Sequence, residues 1–191
     1  MFAALLDTSA LWPSTQRDFL LSLAVEGIYR PLWSSAILEE LRESEVLKFV
    51  RAGELTEVAR SRADHLVEQM RIAFDDAEVT GWEAFEGSFE LPDPDDEHVV
   101  AAALLGGAGA IVTSNLRDFP RDRVPARIDV LSPAEFAAST VSIDPLAAQR
   151  ALGQMSDRRG RHGPPQSTAE ILTVLVERYG MREVGRLLGP A

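Results

Sequence analysis

Apolar residues fall in short unbroken runs divided by stretches of helical period. Residues 2–6 are apolar and end at Asp7-Thr8-Ser9, the pattern of a strand buried on both faces that gives way to a polar loop. Residues 29–33, 109–113 and 127–131 read as further strands. Between the first two, residues 17–26 read as an amphipathic helix stopped by Gly27. Ser34 or Ser35 then caps a helix to about Val50, with Ile37, Leu38, Leu41, Val46, Leu47 and Val50 broadly on one side and Gly53 as its stop. Residues 54–74 predict a further long helix whose seam is Leu55, Val58, Ala59, Ala63, Leu66, Val67 and Met70. Strands alternating with helices in this way predict an α/β fold on a central parallel sheet.

Residues 78–91 carry no period and read as an irregular crossing. They lead to LPDPDDEHVVAAA, residues 91–103, where an acidic cluster opens a segment that is apolar on every face. Asp93 fits an N-cap with Pro94 at the first helical position, so the helix starts near Asp95 and runs buried to Gly106-Gly107. Asp96 is the first of these carboxylates to enter the interior. The helix dipole favours an anion there by about 0.3–1 kcal/mol, so an ionised Asp96 is expected. Such a concentration of charge suggests a cation site.

From residue 139 onward the pattern is wholly helical. Asp144-Pro145 starts one helix, residues 156–165 read as a polar arginine- and glycine-bearing linker, Ser167 to Glu170 is a capping box opening a helix to Tyr179, and residues 181–188 form a last one. Their apolar faces, Ile171, Leu172, Leu175 and Val176 on one and Val184, Leu187 and Leu188 on the other, require a partner in this chain or another. We divide the chain at 1–138 and 139–191.

With 191 residues, 46% hydrophobic and 26% charged, the composition is that of an ordinary globular protein. The absence of cysteine removes disulfides, thiolate metal sites and a cysteine nucleophile, and fits a reducing cytoplasm. The N-terminus lacks a basic region and meets an acid at position 7, which argues against a signal peptide or membrane span. A net charge of −11 argues against nucleic-acid binding until its distribution is considered. Ten acids and no Lys or Arg lie between residues 75 and 97, whereas arginines recur at 117, 121, 123 and 127 and again at 150, 158, 159 and 161. Arginine-rich patches around an acidic centre suit an anionic polymer held at its phosphates while a metal neutralises the carboxylates.

Three further acids stand out by position, although Asp7 reads equally as a cap or turn residue and Glu40 as ordinary surface charge on its helix. Asp7 ends the first strand, at the sheet edge where sites form in open parallel α/β folds. Glu40 borders the Ile37/Leu41 face of its helix. Asp118 follows the strand 109–113 in the segment AIVTSNLRDFP, residues 110–120, where Thr113 and Asn115 offer hydrogen bonds. His65 and His98 read as structural, His98 pointing away from Asp96 along its helix. No phosphate-binding P-loop follows a strand. An aspartyl-nucleophile phosphatase is disfavoured, because Ser9 stands where a second aspartate two residues after Asp7 is wanted.

Asp7 after a first strand, Glu40-Leu41 on the second helix, and the two segments 91–103 and 110–120 together resemble the PIN domain, and more closely the VapC-type ribonuclease toxins of bacterial toxin–antitoxin pairs. The resemblance covers roughly residues 1–138; the helical tail is similar to extensions carried by some members. It implies a three-layer fold and a Mg²⁺- or Mn²⁺-dependent endoribonuclease of the cytoplasm. Its acidic quartet maps to Asp7, Glu40, Asp96 and Asp118, with Thr113 and Asn115 assisting from behind. It also implies RNA as substrate, a cognate antitoxin as partner, and a homodimer or toxin–antitoxin hetero-oligomer. Many PIN domains carry aspartate where this chain has Asn115. The competing expectation is therefore a catalytically inactive PIN-fold module that binds RNA or protein.

Overall fold

A computed structural model of the protein describes residues 2–162 and 164–189. Among them, five strands form one wholly parallel sheet: β1 (Ala3–Leu6), β2 (Arg30–Ser34), β3 (Glu78–Val79), β4 (Ala110–Val112) and β5 (Asp129–Leu131), in the order β3-β2-β1-β4-β5. Central β1 pairs Leu5 with Leu32 on one side and with Ile111 on the other, and all three side chains are buried. Burial on both faces is why these strands read as continuous apolar runs rather than alternating ones.

The chain builds outward from β1 through α1 (Thr8–Leu11) and α2 (Ser14–Val25) to β2, then through α3 (Ser35–Arg51) and α4 (Thr56–Ala73) to β3. It then returns through α5 (Glu97–Leu105) to β4 on the opposite side of β1. Right-handed crossovers running in opposite directions put α2 and α5 on opposite faces of the sheet. The reversal also opens a crevice between the C-terminal ends of β1 and β4, the place where open parallel sheets bind ligands. The turn out of α5 is fitted closely to the sheet. A Cβ on Gly106 would lie 2.7 Å from Val79 Cγ2 and 2.9 Å from Leu32 Cδ1.

Edge strand β3, which pairs with Trp33 and Ser34, lies inside the stretch expected to be irregular. Two residues carry no period, so its pairing is set by the neighbouring strand. The seam of α4 also differs from expectation. Ala59, Ala63, Val67 and Met70 are buried, but Leu55 is 76% exposed and Val58 48% exposed. Leu55 is the N-cap, outside the helical repeat, and the small alanines define a narrower line of contact with α3.

The division at 138/139 falls inside α6 (Pro133–Ile143), which is followed by α7 (Pro145–His162), α8 (Thr168–Tyr179) and α9 (Arg182–Leu188). The apolar faces of the tail find their partners within the chain. Helix α7 lies along α2, α9 packs on α6 and α8, and Ala148, Ala151, Met155, Ile171, Leu175 and Val184 join the main core. The expected linker over residues 156–165 is not one. Helix α7 continues through His162, with residue 163 outside the described residues. Two ion pairs and a hydrogen bond along its flank favour the continuation: Arg150 meets Glu26 at 2.7 Å, Arg158 meets Asp18 at 2.8 Å, and Arg159 donates to Thr15 at 2.9 Å. Three arginines of the second patch thus bind α7 to α2, while the side chain of Arg161 lies outside the described residues. No helix among the described residues is long and apolar enough to cross a membrane.

Candidate active site

The crevice between β1 and β4 is lined first by Asp7 and Thr113, the residues that follow the two strands. The Asp7 amide donates to Val112 O at 3.0 Å, which extends the ladder by one residue and fixes where the carboxylate emerges. Its Oδ2 accepts two hydroxyls, Thr113 Oγ1 at 2.7 Å and Ser9 Oγ at 2.6 Å. Those hydroxyls are themselves held. Ser114 N donates to Ser9 Oγ at 2.8 Å and Asn115 N to Thr113 Oγ1 at 3.0 Å. Asp7 is therefore buried yet fully oriented, and no protein donor to its Oδ1 is found among the described residues. Asn115 contributes its backbone amide to this network.

Asp96 reaches the same crevice from α5. Asp93 caps the preceding 3₁₀ turn, Pro94–Asp96, by accepting from Asp95 N at 3.0 Å, and Asp96 stands half-buried at the junction with the helix. Its pKa is raised from 3.8 to about 6, first by burial and then by the charges of Asp7, Asp118 and Asp93. Desolvation and like charges thus outweigh the favourable helix dipole. The group remains mostly ionised at neutral pH, but by a narrower margin than the dipole alone predicts.

Glu97, the next acid, turns inward and leaves the site. Its two oxygens accept Phe89 N and Leu91 N, each at 3.0 Å, so this buried carboxylate ties down the acidic loop. Burial opposes its ionisation, but the backbone donors outweigh it and hold its pKa below the ordinary value.

Glu40, on α3, accepts Thr8 Oγ1 on Oε2 at 2.5 Å, and its Oε1 lies 3.0 Å from His98 Nε2. Burial disfavours both charges, but the mutual hydrogen bond prevails, lowering the pKa of Glu40 and raising that of His98. His98 therefore points into the crevice, contrary to the expectation that it faces elsewhere. Asp96 ends the 3₁₀ turn before α5, and His98 stands in the first turn of the helix itself. Asp118 ends a further 3₁₀ turn, Leu116–Asp118, and is half-buried, near enough to Asp96 to raise its pKa.

The four predicted carboxylates thus gather around one crevice, although no three acidic or imidazole groups among the described residues converge closely enough to enclose an ion as they stand. Ser9, Thr8 and His98 are the polar members missed from sequence. The Asp-Thr-Ser order hinted at the first two, but it equally describes a helix cap, and nothing in the chain order links His98 to Glu40. Beside Asp118 lies a groove of about 440 Å³, lined among others by Leu116, Arg117, Phe119 and Arg121. Arg117 is exposed there, whereas Arg121 is held by Asp129 at 3.2 Å and by Ala126 O at 3.1 Å.

Compared with known proteins, residues 2–117 match the family model described as PIN domain. No curated protein and no solved structure matches the chain.

Proposed function

The chain belongs to the PIN-domain family, a family of typically metal-dependent nucleases, and on that premise we propose that it is an endoribonuclease using Mg²⁺ or Mn²⁺. We assign the ion to Asp7, Glu40, Asp96 and Asp118. The donor set fits such an ion: hard carboxylate oxygens without sulfur, three of them close enough for Asp7 and Asp118 to raise the proton affinity of Asp96. That electrostatic strain at the topological switch point is the observation that carries the reading, because anions crowded at a sheet crevice favour a divalent cation.

A bound ion supplies an activated water and charge stabilisation at the phosphoryl oxygens. The residues of this chain do the rest. Thr113 and Ser9 hold one oxygen of Asp7, so the carboxylate presents a fixed edge to the crevice. Asn115 and Ser114 fix those hydroxyls through their amides. The half-buried position of Asp96 limits water around the centre and strengthens its attraction for positive charge. Arg117, in the adjoining groove, is placed to meet a phosphate of the RNA strand.

The biological role we propose is that of a toxin held inactive by a cognate antitoxin, as a homodimer or a toxin–antitoxin hetero-oligomer. The tract of ten acids without a cation between residues 75 and 97 supports a basic segment as the covering partner. A second reading, an inactive RNA- or protein-binding module, is favoured by the spread of the carboxylates and by Asn115. Incubation of total cellular RNA with wild type and Asp96→Asn in Mn²⁺ separates the two. We expect cleavage by wild type, abolished by Asp96→Asn and by excess EDTA. Cleavage insensitive to both refutes the nuclease assignment, and RNA retention without cleavage supports the binding module.

A further inference from the structure

Beyond the four carboxylates, the crevice is most tightly constrained at His98. It is 5% exposed on the buried helix α5, and its Nε2 lies 3.0 Å from Glu40 Oε1. Its Nδ1 is buried without a partner, and so is Nε1 of Trp82, whose ring centroid lies 5.8 Å from that of His98. An imidazole taken out of water costs free energy unless its polar atoms are paired. Here the single satisfied atom is the one directed at Glu40. The carboxylate is also gripped from the opposite side by Thr8 on α1. Two donors from two elements, one on each oxygen, leave Glu40 little rotational freedom, while each oxygen keeps a second lone pair for the crevice.

We propose that His98 is a positioning residue for Glu40: its Nε2–H, with the Thr8 hydroxyl, sets the orientation in which Glu40 serves the metal-dependent centre. Its catalytic consequence rests on the nuclease reading; the pairing itself does not. Partners that orient a ligating group from behind are worth about 10–100-fold in activity or metal affinity. His98→Phe, which keeps the volume and removes the donor, should therefore lower kcat by about that factor with little change in KM for RNA. His98→Gln, which returns an amide donor to the same region, should recover most of the loss. Because His98 acts through Glu40, His98→Phe should cost less than about 2-fold in a Glu40→Gln background, read on Mn²⁺ affinity by calorimetry as well as on kcat.

A spectroscopic readout on the metal-free protein stands apart from activity. The chain has three histidines, so the His98 imidazole nitrogens are assigned by their loss in His98→Phe. Glu40→Gln should shift them. Glu39→Gln, at an exposed neighbour paired with Arg42, should leave them in place. Full kcat in His98→Phe, or the same loss with and without Glu40, overturns the positioning role. A His98 resonance indifferent to Glu40→Gln overturns the pairing. A wild-type chain that cleaves no RNA overturns the nuclease reading alone, since the resonances still decide the pairing.

Discussion

Asp96→Asn should stabilise the metal-free protein even as it removes the function proposed for Asp96. Raising its pKa from 3.8 to about 6 corresponds to about 3 kcal/mol, at about 1.4 kcal/mol for each tenfold change in proton affinity. Asp96 is only half-buried, so solvent screening reduces this to about 1–2 kcal/mol. The sign follows from proton counting. Between pH 3.8 and about 6 the folded chain binds the Asp96 proton more tightly than the unfolded chain does, so stability falls as pH rises through that window, and the penalty is complete above it. Asparagine keeps the shape and removes the charge. In EDTA at pH 7.5, Asp96→Asn should exceed wild type by about 1–2 kcal/mol, or about 2–8 °C in Tm for a chain of this size. At pH 4 most of that advantage should be gone. Added Mn²⁺ should reverse the order, because wild type gains binding free energy that the variant forgoes. Thermal melts followed by circular dichroism at both pH values, with and without Mn²⁺, make the measurement. An Asp96→Asn protein less stable than wild type at pH 7.5 without metal, or equally advantaged at pH 4, refutes the electrostatic account of the crevice.

Glu97→Ala leaves the amides of Phe89 and Leu91 without their acceptor and should cost about 2–4 kcal/mol in urea denaturation, with faster proteolysis of the acidic loop. Gly106→Ala places a methyl group within 3.0 Å of both Val79 and Leu32, and should lower stability by about 1–3 kcal/mol without altering the pH dependence assigned to Asp96. Thr113→Val, which is nearly isosteric, takes one donor from Asp7 and the acceptor from Asn115 N. We expect RNA cleavage to fall about 10-fold at unchanged KM, and an unchanged kcat would show that Ser9 alone orients Asp7.

The sheet was largely legible because its central strands are buried on both faces and announce themselves as apolar runs. Helix ends were legible where a side chain caps locally: Ser167 with Glu170 forms the expected reciprocal box, Ser132 with Glu135 forms a second one, and Asp93 caps the turn before α5. What escaped is set by partners distant in sequence. Edge strand β3 owes its pairing to β2, and α7 extends to His162 through contacts with α2 some 140 residues away. The site divides along the same line. Asp7 and Asp96 were visible as acids at element ends, but the hydroxyl network on Asp7 joins positions 106 apart, and the His98–Glu40 pair joins α5 to α3. Chain order carries no trace of such links.

The acidic stretch at the start of α5 shows why charge alone predicts so little about role. Residues 95 to 98 are consecutive and polar, yet Asp95 is exposed, Asp96 half-buried at the crevice, Glu97 buried under the loop, and His98 buried against Glu40. A helix turns about 100° per residue, so neighbours in sequence face different surroundings. Because the rest of α5 is apolar on every side, its N-terminal end cannot rotate to suit any one of these residues without exposing the others' partners. The 3₁₀ turn and the helix joined to it therefore fix all four roles together. The burial that raises the proton affinity of Asp96 is the same burial that leaves His98 with Glu40 as its one side-chain partner among the described residues. On this argument, loosening α5 by a polar residue at Val100 should relax both: the pKa of Asp96 should fall toward its ordinary value, and the His98 resonances should lose their dependence on Glu40. Either change without the other would separate the two effects and refute their common origin.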